Sequence, residues 1–314
     1  MGAVRRHVQR DALAGEALEC GCSSAATRAA CAAFAALIAL PYAAHSDWTL
    51  GVDGSVRRDD NVGNAQFASD KVADTTFDGR LSIFRLIPVS GSYSLTIGGD
   101  LSGEAYHSLT GLNNASLDGL LSLKKKWGLG AYAPWARIGA TVARSSYEDS
   151  YRNAWDYRAA FASGRRLDER WNLWAEYAYD SRVARALPEE VPGISGDAFS
   201  QVSQSLTANV EYSVSESALV SLGLSARHGD VVSTSIPNLT VYYASAAIAE
   251  DPAFGPEAYA YKLTGTTWGA RAGISFSPTV HSLLGCAIEY WDTHADGSNE
   301  YTKTVAEITW NYRF

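Results

Sequence analysis

The feature that most constrains this chain is an alternation of apolar and polar residues that recurs along most of its length. Near the C-terminus, Trp310, Tyr312 and Phe314 share one face, while Asn311 and Arg313 share the other. Such alternation is typical of a β-strand with one apolar and one polar face. About twelve such segments follow one another, each roughly ten residues long, which is the repeat expected of strands that cross a membrane as a β-barrel.

The connections between these segments alternate in length. The predicted strands begin near residues 48, 75, 92, 114, 134, 152, 170, 199, 218, 264, 281 and 299. Tight turns follow the even strands, and long loops follow several odd ones, notably 58–74, 182–198 and 231–263. Outer-membrane barrels have short periplasmic turns and longer extracellular loops. The sequence therefore predicts an all-β fold, a single antiparallel transmembrane β-barrel of about 12 strands with its long loops outside the cell.

A soluble β-sandwich would alternate in the same way, so the aromatic residues decide between the two. Aromatic side chains fall near the ends of many predicted strands, as they do in the interfacial girdles of membrane barrels. The residues concerned are Trp48, Trp127, Trp135, Tyr157, Trp171, Tyr179, Tyr212, Trp268, Tyr290, Trp310 and Phe314. A sandwich seldom places aromatic residues at both ends of so many strands. This distribution favours the membrane barrel.

The first 46 residues have the pattern of an export signal. Arginines at positions 5, 6, 10 and 28 precede an apolar stretch, residues 29–40, and the small-residue tripeptide 44–46. The apolar stretch is about 12 residues long, whereas a membrane-spanning helix needs about 20. We therefore expect residues 1–46 to be a cleaved signal peptide and residues 47–314 to form the barrel.

Charge and cysteine content narrow the possible partners. The formal net charge is -8, so the chain lacks the basic footprint of a nucleic-acid-binding protein. Cys286 is the one cysteine after the predicted cleavage site, which excludes a disulfide within the mature chain.

The C-terminal residues also resemble a known signal. Trp310, Tyr312 and Phe314 are similar in their spacing to the C-terminal strand signal of Gram-negative outer-membrane proteins, although residues 307–309 lack the glycine of the fuller signal. With residues 59–62 and 128–135, the mature chain resembles uncharacterised, porin-like outer-membrane β-barrel proteins of proteobacteria. The resemblance implies the cell outer membrane as location, and the barrel-assembly machinery and outer-membrane lipid, including lipopolysaccharide, as partners. It implies no activity and leaves the oligomeric state open.

The polar face of the predicted strands would line the barrel lumen. By alternation, the predicted lumen-lining residues carry both signs of charge: Asp53, Arg57, Arg80, Asp100, Arg137, Asp156, Arg158, Glu176, Glu211, Arg227, Arg271, Glu289, Glu307 and Arg313. A barrel of about twelve strands lies between small filled barrels and wide porins. Two functions follow: a narrow porin-like channel for small polar solutes or ions, or a structural or adhesive barrel whose lumen is closed by ion pairs.

An outer-membrane enzyme that modifies lipid is the remaining alternative. Three histidines, His107, His228 and His294, are predicted at the extracellular ends of strands, and Ser233 follows His228. The segment does not reproduce the His-x-Ser element of outer-membrane phospholipases, and a polar rim explains the histidines without chemistry. The oxygen-bearing side chains of Asp59, Asp60 and Asn61 could hold calcium, but they lack the alternation of a calcium loop. We therefore predict no catalytic residue, no metal site and no cofactor.

The longest predicted loop, 231–263, contains more apolar and aromatic residues than an exposed loop would, namely Ile236, Val241, Tyr242, Tyr243, Ile248 and Phe254. Each such side chain gains about 1.5–3 kcal/mol when it is buried. We expect the loop to fold over or into the extracellular mouth and to narrow it. Its acidic residues Glu250, Asp251 and Glu257 are predicted to pair with Arg227 and Arg271 on the flanking strands.

Overall fold

The computed structural model describes residues 48–314, and these residues form one antiparallel sheet. The predicted signal peptide lies outside the described residues. The strands are β1 (Trp48–Asp59), β2 (Asp74–Ser90), β3 (Tyr93–Tyr106), β4 (Asn114–Lys126), β5 (Trp135–Tyr147), β6 (Ala154–Arg166), β7 (Trp171–Ala184), β8 (Gln201–Ser213), β9 (Ala218–Ser235), β10 (Ala247–Glu250), β11 (Tyr259–Thr279), β12 (Ser282–Ala295) and β13 (Asn299–Arg313).

Twelve of these strands close into a barrel. β1 pairs with β13, and β9 pairs with β11, so that the sheet returns on itself. The short strand β10 pairs with β11 beyond the point at which β12 ends. Closure gives every barrel strand a partner on both sides and removes the free edges that a membrane would not tolerate. The prediction of a single antiparallel barrel of twelve strands is confirmed. No helix in residues 48–314 is long and apolar enough to cross a membrane.

The strand boundaries follow the alternation of the sequence closely, with one correction. The tenth barrel strand, β11, begins at Tyr259 rather than near residue 264, and β9 continues to Ser235. Both strands run beyond the rim because they pair with each other as far as Ser235 and Tyr259. The predicted loop 231–263 is therefore shorter, 236–258, and contains a helix, α1 (Leu239–Ala244), and β10.

The outer face of the barrel is apolar and exposed. Large aliphatic side chains such as Leu117, Ile138, Leu222 and Ile308 are at least 60% exposed on this face. A soluble protein would bury such a surface, and a membrane barrel presents it to lipid. Aromatic side chains lie on the same face near both ends of the strands: Tyr93, Trp171, Tyr212, Trp310 and Phe314 near the turns, and Trp155, Tyr157 and Trp268 towards the long loops.

One residue of the predicted girdle faces the other way. Trp135 lies on the inner face, two residues from Arg137, and Lys124 of the neighbouring strand places its Nζ 4.5 Å from the indole centroid. Its direction follows from strand parity: Trp135 and Arg137 are both odd-numbered residues of β5 and so share a face. The interpretation of Trp135 as a lipid-facing girdle residue was wrong.

Candidate functional site

The barrel lumen contains the charged side chains that the alternation assigned to the inner face. One cavity of about 590 Å³ is lined by β1–β5 and β13. Of the predicted residues, Asp53, Arg57, Arg80, Glu307 and Arg313 line it. Asp100 lies beside this wall, in register with Ser82 on one side and with Asp118 on the other.

The charges in this cavity pair along the wall. The Arg57 guanidinium lies 3.8 Å from the Asp78 carboxylate and 3.5 Å from that of Glu104. Arg313 donates to Asp53 at 2.7 Å. These pairs join strands that are adjacent or one strand apart, so they lie against the sheet and do not bridge the lumen.

A second charged wall is formed by β5–β9 around a cavity of about 400 Å³. Arg158 donates to Asp180 at 2.7 Å and to Glu176 at 2.8 Å, and Arg137 donates to Glu176 at 3.1 Å. Asp156 accepts from Arg182 at 2.9 Å. Arg227 lines this cavity too, but its guanidinium donates to the backbone carbonyl of Asp230.

The third and largest part of the lumen, about 1060 Å³, lies against β6–β9, β11 and β12. Arg271 is ion-paired with Glu289, and it lies 3.2 Å from the Glu307 carboxylate. Glu211 accepts from Asn172 at 2.8 Å and from the indole of Trp174 at 3.1 Å. The inner face of β8, β9 and β11 otherwise carries mostly small residues, namely Ser203, Ser205, Thr207, Asn209, Ser221, Gly223, Ser225, Thr267, Gly269, Gly273 and Ser275.

This small-residue wall is not among the lumen-lining residues predicted from the sequence. The sequence does contain this information, because the inward positions of β8, β9 and β11 follow from parity with Glu211, Arg227 and Arg271. Trp174 and Asn209 are also absent from the predicted lining, because the prediction included only charged inward residues. Small side chains leave space, and the largest of these three cavities lies on this side.

Residues 236–258, which we call the lid, cover the end of the barrel that carries the long loops. Within residues 48–314 the lid contacts each of the five other loops at this end. Phe254 lies against Gly63, Pro252–Phe254 packs on Thr110–Leu112, and α1 packs on Asp296–Ser298. The Ile248 amide donates to the Ser195 carbonyl at 2.9 Å. The fifth contact is an ion pair between Arg152 and Asp251.

The Arg152–Asp251 pair, which we call the latch, joins the lid to the loop after β5. Asp251 is fully buried. Its carboxylate accepts from Arg152 Nε at 3.2 Å, from a second guanidinium nitrogen, and from the Thr234 hydroxyl at 2.7 Å. A buried carboxylate is tolerated only when it is paired and hydrogen-bonded in this way. The latch therefore fixes the lid across the mouth.

The apolar residues of the lid divide into two groups. Val241 and Ile248 are buried with Val231, Tyr261 and Leu263 in a small core under the lid. Ile236 and Tyr243, which were expected to pack with them, are exposed. The lid does fold over the mouth, as predicted, but it does not bury all of its apolar surface.

The predicted ion pairs of the lid were wrong. Arg271 pairs with Glu289 and Glu307, while Glu250 and Glu257 are exposed. The reason is depth: Arg271 lies twelve residues along β11 from Tyr259, and each strand residue advances about 3.3 Å. The lid cannot reach it. Of the three acidic lid residues, Asp251 does form an ion pair, but its partner is Arg152. Arg152 is distant from the lid in sequence, and no local sequence pattern identifies it.

The histidines and acidic residues considered for chemistry have other contacts. His228 and Ser233 lie an odd number of residues apart on β9, so their side chains point to opposite faces. The His228 ring contacts the Thr266 hydroxyl, and the Ser233 hydroxyl donates to the Asn64 carbonyl. The Asp59 carboxylate accepts from Lys303 at 3.3 Å. Within residues 48–314, no cluster of ligating side chains could hold a metal ion.

The C-terminal aromatic residues lie together on the outer face where the barrel closes. The rings of Trp310 and Tyr312 have centroids 6.1 Å apart, and those of Tyr312 and Phe314 are 4.9 Å apart. The Phe314 amide donates to the Leu50 carbonyl of β1 at 3.1 Å. The three residues of the predicted assembly signal thus form one row beside the first strand.

Comparison with solved structures places this fold among outer-membrane channels. The COG4313 outer membrane channel from Pseudomonas putida F1 has a TM-score of 0.54 at 14% identity, over 88% of this chain and 97% of that one. The NanC porin has a TM-score of 0.46 at 10% identity, over 84% and 98% of the two chains. No family model and no curated protein matches the sequence. The likeness to the COG4313 channel structure supports the predicted membrane β-barrel at the level of the fold.

Proposed function

We propose that the protein is an outer-membrane channel for small polar solutes or ions, narrowed at its extracellular end by the lid. The observation that carries this proposal is the direction of the ion pairs on the inner face. Each ion pair joins side chains on adjacent strands or on strands separated by one other strand. Arg57 of β1, for example, pairs with Asp78 of β2 and with Glu104 of β3. Charges paired in this way line the wall and leave the centre open.

The volume of the lumen supports the same conclusion. A lumen closed by its own side chains would contain no large cavities. The lumen of this barrel nevertheless contains cavities of about 1060, 590 and 400 Å³. Small inward residues on β8, β9 and β11 leave the largest of them. The alternative of a barrel sealed by salt bridges would need pairs that cross the lumen, and the described inner face has none.

We also propose the partners that the sequence predicted. The row formed by Trp310, Tyr312 and Phe314 would be recognised by the barrel-assembly machinery, because it lies on the strand that completes the barrel and two of its rings, Trp310 and Phe314, are exposed. The apolar outer face would contact outer-membrane lipid. Arg144, which lies 5.6 Å from the Trp155 ring on that face, would supply a cation for lipopolysaccharide.

Planar-bilayer recording of the refolded protein tests the proposed function. We expect discrete conductance steps that require folded protein, as judged by heat-modifiable mobility on gels. A heat-denatured sample is the matched control. A correctly folded barrel that never conducts, with the lid present or removed, would contradict the channel and support a closed structural barrel.

A further inference from the structure

Two basic side chains face each other near the periplasmic end of the lumen. Lys124 of β4 and Arg137 of β5 are directly opposite in register on the inner face. Like charges in this position destabilise a sheet. Arg137 donates to Glu176, but Arg158 shares that carboxylate. None of the carboxylates in residues 48–314 forms an ion pair with Lys124. The pair therefore has an excess of positive charge.

An indole ring holds the Lys124 ammonium at the lumen surface. Its Nζ lies 4.5 Å from the centroid of Trp135, within the range of a cation–π contact. The ring rests against Gly164, where an added Cβ would lie 2.8 Å from Trp135 Cζ2. A larger residue at position 164 would displace the ring. The glycine thus lets Trp135 lie flat on the wall beneath the ammonium.

Two more cations at the same end reinforce this charge. Lys126 is opposite Trp135 on the inner face, and its Nζ lies 3.3 Å from the Gly130 carbonyl. Arg166 is opposite Asn172, and it donates to the carbonyls of Asp168 and Glu169. Neither side chain forms an ion pair within residues 48–314, although the Trp171 backbone amide and, to a smaller extent, the Arg166 charge lower the pKa of the exposed Asp168 carboxyl in the adjoining turn. An anion entering from the periplasmic end would meet a positive potential.

The largest cavity begins beside this basic group. Its lining includes Gly164 and Trp174, which are opposite each other in register, and Gly164 is also opposite Trp135. Farther in, the inward residues of this lining are Trp174, Asn209 and Gly223, whereas Leu173, Leu222 and Ile288 point to the outer face by strand parity. A positively charged rim therefore adjoins a recess in which the Trp174 indole lies beside small side chains. Small-molecule sites commonly combine apolar walls with a few polar groups that fix orientation.

We propose that Lys124 and Arg137, with Trp135 and Trp174, form a binding site for a small organic anion that has an apolar body. The carboxylate of such a ligand would lie between the ammonium and the guanidinium and relieve their repulsion. Its apolar body would lie against Trp174 in the recess. The proposal deepens the proposed function, because the site lies in the lumen of the channel.

Equilibrium dialysis of the refolded protein against radiolabelled benzoate tests the site without requiring conductance. We expect saturable binding in which acetate, which has no ring, and benzamide, which has no charge, both compete poorly. The double variant Lys124→Gln/Arg137→Gln should weaken binding by about tenfold or more, because charged hydrogen bonds are lost. Lys124→Arg should retain binding.

The chain offers a matched control in the next residue. Lys125 lies on the outer face against Tyr93 and Trp127, so Lys125→Gln removes the same charge outside the lumen and should leave benzoate binding unchanged. Trp174→Leu should reduce the preference for benzoate over acetate. If Lys124→Gln and Lys125→Gln change benzoate binding equally, the proposed site is wrong. The same holds if a protein that conducts shows no saturable benzoate binding, and neither result contradicts the channel. Absence of conductance in a protein that binds benzoate would instead overturn the channel.

Discussion

The two ends of the barrel are built from the same strands but are finished differently. At the periplasmic end, the strands are joined by turns of which the longest is 127–134. At the extracellular end, the lid reaches every other loop and is fixed by the buried latch between Arg152 and Asp251. On the proposed function, access to the lumen would therefore be restricted at the extracellular end, by the lid. On this account, the barrel strands determine the width of the lumen, and the contacts between the lid and the other loops determine how far its extracellular mouth is open.

Removal of the lid should have the largest effect. Ser235 and Tyr259 are directly opposite each other in register, so an Asn-Gly turn can replace residues 236–258 and close the β9–β11 hairpin. We expect single-channel conductance to rise severalfold while heat-modifiable mobility is retained. Unchanged conductance in this folded variant would place the narrowest point elsewhere in the lumen.

Breaking the latch should have an intermediate effect. Asp251→Ala leaves Arg152 without its partner, and loss of one partner of a buried pair costs about 3–5 kcal/mol. The lid should then leave the mouth part of the time, seen as longer open times and faster amide exchange in residues 236–258. The adjacent, exposed Glu250 provides the control, and Glu250→Ala should behave like the unmodified protein. If both substitutions act alike, the latch does not hold the lid.

At the periplasmic end, the C-terminal aromatic residues are expected to affect assembly of the barrel into the outer membrane and not the opening of the channel. Deletion of Phe314 removes the ring next to Tyr312 and the amide that donates to Leu50. We expect the amount of heat-modifiable protein in the outer membrane to fall severalfold, while the conductance of the molecules that do assemble is unchanged. Phe314→Tyr keeps the ring and should assemble normally. Normal levels of the truncated chain would rule out the terminal ring as part of the signal.

The smallest expected effect is a pH dependence of the loop that carries the latch. Burial raises the pKa of the Asp149 carboxyl, and the negative charge of Asp251 acts in the same direction. A raised pKa in the folded state means that ionised Asp149 destabilises the fold above that pKa, and that the penalty disappears as the pH falls through it. We expect Asp149→Asn to stabilise the loop slightly at neutral pH.

Amide exchange in residues 148–153 provides the measurement for Asp149→Asn. The amide side chain can still accept the hydrogen bond from the Tyr151 backbone, so the turn is preserved. The variant should exchange more slowly than the unmodified protein at neutral pH, and the difference should vanish at acidic pH. A difference of the opposite sign would contradict the assigned cause of the pKa shift.

The sequence was sufficient for the wall of the barrel and insufficient for its lid. Alternation is a local property, so the strands and the inward direction of residues such as Arg57 and Glu289 follow from parity. Trp135 was misplaced because its position at a strand end was given more weight than its parity with Arg137. The pairing of Arg152 with Asp251 joins residues far apart in sequence, and its geometry depends on the closed barrel. No local pattern contains that information.

The central claim, that the lumen is open from the periplasmic end and restricted by the lid, can be tested by cysteine modification. Cys286 is the only cysteine in residues 48–314, so Cys286→Ser with Asn209→Cys places one thiol in the largest cavity. A charged methanethiosulfonate reagent is then added to each side of a bilayer that contains one protein molecule. We expect modification from one side to be about tenfold faster, and this difference to vanish when the lid is replaced by the Asn-Gly turn. Equal rates from both sides with the lid present, or no modification from either side, would contradict the account.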